Sequence, residues 1–139
     1  MTLWRPGMAV TADRLNGVVM PWTPLSELGN WSGVGAPHSA NPPRMQKRVA
    51  PGGDGVWEFE GEIELPSVAT NSIVTIFTFS TAHRVSREQR LSVGWNTTGY
   101  YSFWIRLLTS GTFATGLPAA ATTTASTRLS LAGVRITNP

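Results

Sequence analysis

The sequence predicts an all-β fold: an antiparallel β-sandwich or jelly-roll-like head, preceded by an extended Pro/Trp-rich N-terminal arm with one short helix. Three observations predict it. From residue 54 onward, apolar and polar side chains alternate with a period of two. Turn residues punctuate that region at roughly 8–12-residue intervals, the spacing of short strands in sandwiches and barrels. No stretch sustains the 3.6-residue period of an amphipathic helix.

The division between arm and head falls at residue 53, giving 1–53 as a docking arm and 54–139 as the β-head. Seven prolines lie in the first part, Pro6, Pro21, Pro24, Pro37, Pro42, Pro43 and Pro51. Proline fixes φ and removes a donor, so a regular helix or a central strand is not expected there. The same part carries Trp4, Trp22 and Trp31 with Leu15, Val18, Val19, Leu25 and Leu28. So much aromatic surface predicts docking, either on the chain's own head or on a neighbour, and Trp4, Leu15, Trp22 and Trp31 are the candidate anchors. The short helix is Ala12–Asn16, capped by Thr11 and ended by Gly17.

The head begins after a turn at Gly52–Gly55. In Gly55–Leu65, Trp57, Phe59, Ile63 and Leu65 share one phase, while Glu58, Glu60, Glu62 and Glu64 share the other. Only a strand with one buried face gives that separation. Ile73–Phe79 is nearly continuous in apolar, β-branched and aromatic residues, which predicts a strand covered on both faces. Arg90–Trp95 alternates Leu91, Val93 and Trp95 against Ser92 and Gly94. Tyr100–Leu108 places Tyr101, Phe103, Ile105 and Leu107 opposite Tyr100, Ser102, Trp104 and Arg106. Ser110-Gly111 then marks a hairpin into Thr112–Thr115. Gly116–Ser126 is a low-complexity loop. The last strand, Arg128–Thr137, changes phase at Ala132-Gly133, which predicts a bulge.

Composition bounds the function. The 139 residues hold one domain's worth of chain, with only 14% charged residues against roughly 25% on average. Seventeen Thr and twelve Ser supply the polar surface, and six Trp are a surplus for this length. The absence of Cys excludes a disulfide frame, a thiolate metal site and a cysteine nucleophile. Met1–Gly7 has no apolar h-region, so no signal peptide is expected, and no apolar run is long enough for membrane insertion. Net charge is +3, but the cations are scattered apart from Arg44, Lys47 and Arg48. A nucleic-acid partner, which needs convergent cations, is therefore not expected.

Each candidate site has a plainer reading beside it. The glutamate ladder Glu58, Glu60, Glu62 and Glu64 spaces its carboxylates about 7 Å apart, within the range of an inverting glycosidase. A regular solvated ladder lacks the asymmetry of environment that acid–base pairs need. Cross-strand or cross-subunit ion pairs to Arg84, Arg87, Arg90 or Arg106 are the stronger expectation, with Arg84 and Arg106 as the leading partners. His38 and His83 have no second ligand at metal spacing, and His38 is expected in solvent. Ser80-Thr-Ala-His83 lacks a nucleophile elbow. Gly52–Gly55 lacks the Lys and helix of a phosphate loop. Asn96-Thr-Thr98 matches a glycosylation sequon. Trp95, Tyr100 and Trp104 are the candidate glycan-facing aromatics, set against a core or subunit-interface role. No catalytic residue, metal or cofactor is assigned.

The order of motifs adds a resemblance. Trp22…Leu28-Gly29-Asn30-Trp31 is followed by the basic segment Arg44–Arg48 and then by Asp54-Gly55-Val56-Trp57-Glu58-Phe59-Glu60-Gly61-Glu62-Ile63. Next come Phe79…His83-Arg84-Val85, Ser110-Gly111 and Leu129-Ser-Leu-Ala-Gly-Val134-Arg-Ile136. Over residues 22–137 this series resembles the head domains of tailed-phage tail fibres and baseplate receptor-binding proteins. It departs from them at Ser80–Val85, where their corner carries proline. The resemblance implies a non-enzymatic virion surface protein, commonly a homotrimer, assembled in the host cytoplasm and contacting host surface carbohydrate. It implies further partners among tail or capsid subunits, bound through residues 1–53. A capsid decoration or head-fibre protein is the alternative, and a free lectin or glycan hydrolase a remote one. Receptor residues vary among such heads, so none carries over.

Overall fold

A computed structural model describes residues 17–50, 52–66, 72–95, 103–116 and 126–139. Twelve strands form in chain order among them: β1 (Val18–Pro24), β2 (Gly29–Trp31), β3 (Ala36–Pro37), β4 (Arg44–Val49), β5 (Gly55–Glu60), β6 (Glu62–Pro66), β7 (Val74–Phe79), β8 (Gln89–Trp95), β9 (Phe103–Leu107), β10 (Thr112–Gly116), β11 (Ser126–Ser130) and β12 (Val134–Thr137). The only helical pieces described are 3-10 turns at Leu25–Glu27 and Thr81–His83. All strand pairings are antiparallel, and they make two sheets, of order β1-β4-β5-β12 and β2-β7-β10-β9-β8-β11-β6-β3.

The longer sheet has to roll. Its outermost strands, β2 and β3, would lie about 34 Å apart if eight strands were flat at about 4.8 Å spacing. Positions 31 and 36 are joined by a chain that reaches at most about 18 Å. The link between them runs from β7 to β6: Ser32 donates its N–H to the Ile76 carbonyl at 3.1 Å, and His38 donates to the Glu62 carbonyl at 3.1 Å. Gly35 lies between, against Ile63 and Ile76. The core fills the space inside the roll and beneath the shorter sheet, with Met45, Ile63, Phe77, Phe103, Leu129 and Leu131 all nearly or wholly solvent-free.

The long strand expected over Gly55–Leu65 is two strands. It turns at Gly61, where φ is +90° and a Cβ would collide with Pro42 and Pro43 backbone. β5 belongs to the shorter sheet and β6 to the longer one. Its partner bends with it: the phase change at Ala132-Gly133 is a corner between β11 and β12, not a bulge. The Leu131 N–H donates to the Gly61 carbonyl at 2.9 Å, tying the two corners together.

Two further expectations change. β7 is not covered on both faces, since Thr75 and Thr78 are exposed. Phe77 pairs with Phe113 and Thr75 with Ala114, so Ile76 is an extra residue and both Ile76 and Phe77 point inward. The boundary at residue 53 is not a boundary of the fold over 17–50. β4 is a central strand paired with β1 and β5, and β2 and β3 pair with β7 and β6. β4 occupies a proline-free stretch between Pro43 and Pro51, while Pro21 and Pro24 sit on the edge strand β1, where a missing donor is harmless. The expected helix at 12–16, with Trp4 and Leu15, lies outside the described residues.

Candidate functional site

The outer face of β8, β9 and β10 carries an aromatic surface with charged groups beside it. On β9, Phe103, Ile105 and Leu107 point into the core, so Trp104 and Arg106 point outward. Trp104 pairs with Ser92 on β8 and with Gly116 on β10. A Cβ at Gly116 would run into the Trp104 ring, so only glycine there lets the indole lie across β10. The Thr115 hydroxyl donates to the Trp104 carbonyl at 2.9 Å and steadies the strand beneath it. Ile73 stands 61% exposed nearby. Trp104, Ile73, Arg90, Ile105 and Arg106 line a groove of about 310 Å³.

Glu88 organises the polar side of this groove. Its carboxylate accepts from Arg106 Nε at 2.7 Å and Nη2 at 3.1 Å, and from Arg90 Nε at 2.6 Å. Arg106, then Arg90, hold its pKa down at about 2, and Glu88 in turn raises that of Arg106. A depressed carboxylate pKa contributes stability above the ordinary Glu value and loses it as pH falls through the lower one. The stability difference between the wild type and Glu88→Gln should therefore hold steady above about pH 5 and shrink from there toward pH 2. Urea denaturation across that range checks it. A difference that does not change between pH 5 and 2.5 contradicts the pairing.

The glutamate ladder is divided between the two sheets and makes different contacts from those expected. Glu60 accepts from Arg44 Nε. Glu58 accepts from Gln46 and lies 3.5 Å from Arg48. Glu62 lies 3.9 Å from Arg128 and 3.6 Å from His38, and Glu64 lies 3.6 Å from His38. Arg84 is turned instead toward the Phe79 carbonyl, and Arg106 is taken by Glu88. His38 is buried rather than solvated: its Nδ1 accepts from the Asn41 N–H at 3.1 Å, folding residues 38–41 back against β6.

The remaining candidates separate. Trp22 is half-buried on β1 under the Arg44 guanidinium, 5.4 Å from its ring, and borders a shallow groove with Glu58, Glu60 and Arg135. Trp31 packs edge-on against Phe77 at 5.0 Å and donates its indole N–H to Ser26 Oγ. Both tryptophans thus make contacts within this chain. The side chain of Trp95, Tyr100 and the Asn96 sequon lie outside the described residues. Glu88 was not among the candidates, although it is the only acid after Glu64 and stands among six arginines. Among the described residues no group of His, Asp and Glu has the geometry of a metal site, and no helix is long and apolar enough to cross a membrane.

This arrangement, a rolled sheet sharing its corners with a shorter one, is the fold of a phage receptor-binding head domain. A solved structure with a similar fold is the crystal structure of the head domain of phage bIL170, among the receptor-binding domains of lactococcal phages. The two are 24% identical, with a TM-score of 0.56 over 86% of this chain and 97% of that one. No protein-family model matches the sequence, and no curated protein does.

Proposed function

We propose that this chain is a non-enzymatic head domain on the surface of a tailed-phage virion and that it attaches the particle to host surface glycans. The shared fold with the bIL170 head, over most of both chains, carries the reading. The groove at Trp104 supports it. An indole face suits the C–H surface of a sugar ring, and Arg90, Arg106 and Glu88 offer the fixed donors and acceptors that hydroxyls require. In this reading three copies form the head.

The test is binding of purified protein to polysaccharide from the host wall. Trp104→Ala should weaken binding at least about tenfold, roughly 1.4 kcal/mol, while leaving the denaturation midpoint nearly unchanged, because the ring packs outside the core. Absence of binding, together with normal adsorption by particles lacking the protein, would overturn the attachment role and leave capsid decoration. Sedimentation should give three times the 15.0 kDa chain mass, and a monomer rejects the trimer.

A further inference from the structure

Lys47 is the chain's single lysine, and it points the wrong way for a surface cation. It lies on the inward face of β4, in phase with the fully buried Met45, while Arg44, Gln46 and Arg48 contact glutamates on the outer face. Its ammonium is satisfied by neutral groups: His83 Nδ1 at 2.9 Å, the Ala82 carbonyl at 3.3 Å and the Trp57 ring at 4.7 Å. Both hydrogen-bond partners belong to the 3-10 turn Thr81–His83, in the segment between β7 and β8. One side chain of the shorter sheet thus holds the 3-10 turn of this connection, whose flanks are tied down by Ser80 to the Leu28 carbonyl, Ser86 to the Pro139 carbonyl and the buried Val85.

We infer that the Lys47–His83 contact is an acid-released latch on the β7–β8 connection. An ammonium has donors only, so His83 must present a bare Nδ1 and keep its proton on Nε2. Protonating the ring puts an N–H and a second positive charge against Lys47 at hydrogen-bond distance, and the contact becomes repulsive. Among the described residues neither Lys47 nor His83 has a carboxylate at ion-pair distance to absorb that charge. The neighbouring cations are engaged elsewhere, Arg84 at the Phe79 carbonyl and Arg48 at Glu58 on the far face. β5 contributes only the neutral Trp57 ring. Burial, and then the Lys47 charge, lower the His83 pKa, and burial lowers that of Lys47. The sign follows: the fold favours neutral His83, so the latch is whole above the ordinary imidazole value near 6.5 and weakens as pH falls below it.

Amide hydrogen exchange over residues 80–88, corrected for the intrinsic pH dependence, tests this in the full chain. Protection of the His83 N–H, which donates to the Ser80 carbonyl, should drop at least about threefold between pH 7.5 and pH 5. His83→Gln should be equally protected at both pH values. Lys47→Met should be less protected at pH 7.5 and show little further change. Unchanged protection in the wild type, or a drop that persists in His83→Gln, overturns the latch. Should the variants fail to fold, nitrogen NMR of the wild-type imidazole decides: the Nε2–H tautomer with a pKa below 6.5 supports it, and Nδ1–H overturns it.

Discussion

Gly61→Ala is expected to destabilise the protein by about 3 kcal/mol or more, enough to remove most soluble folded protein at 37 °C. Two effects add. The residue sits at φ +90°, where an L side chain is strained. Its Cβ would also meet the Pro42 carbonyl and the Pro43 Cα, which are backbone atoms and cannot rotate away. That segment is itself held on both sides of Pro42, since Pro43 accepts from the Leu25 N–H at 3.0 Å and Asn41 accepts from the Glu62 N–H at 2.9 Å. Gly133→Ala at the partner corner is the control: φ is +74°, but nothing lies within 4 Å of the added methyl. It should cost only about 1 kcal/mol. Equal losses in the two variants, measured by urea denaturation, would show that conformation alone matters and that the Pro42–Pro43 contact does not.

Phe77→Ala should cost about 3–5 kcal/mol, the range for an aromatic removed from a closed core. The ring is fully buried, edge-on to Phe79 at 4.9 Å and to Trp31 at 5.0 Å. Its removal leaves a void beneath β2 and takes away the surface on which Trp31 rests. The variant should therefore combine a large fall in midpoint with red-shifted tryptophan emission in the native state. Val19→Ala, 64% exposed on β1, should fall within about 0.5 kcal/mol of wild type. A loss below about 1.5 kcal/mol for Phe77→Ala contradicts the packing described.

Alternation along 55–65 revealed which residues face inward, yet it concealed the corner at Gly61. Both sheets enclose the same core, so the phase of Trp57 and Phe59 continues into Ile63 and Leu65 although the strand changes sheet. Periodicity reports the direction of a side chain, not the sheet that carries it. The adjacent Ile76 and Phe77 were ambiguous for a related reason: an extra residue and two covered faces produce the same apolar run. In residues 17–50 the prolines drew attention from the short stretch after Pro43 that became a central strand. The groove was half legible. Trp104 was marked by its polar phase, but Glu88 lies in an aperiodic segment, and only its isolation among arginines signalled a role. Lys47 stood out in the sequence only as the single lysine and a member of the Arg44–Arg48 basic cluster, because its inward direction depends on β4 pairing with β5.

The roll of the longer sheet has a kinetic consequence. Its strands pair across long stretches of sequence, β3 with β6, β2 with β7 and β6 with β11, so many loops must close before the ring is complete. Folding should be slow for a chain of this size, on the millisecond-to-second scale of all-β domains. Among the described residues the ring is thin at two places, the edge formed by the three-residue β2 and two-residue β3, and the two-pair contact of β8 with β11. At the β2–β3 edge, breathing of the native state should part β6 from β7 and admit water beside Gly35, long before the corners at Gly61 and Gly133 give way.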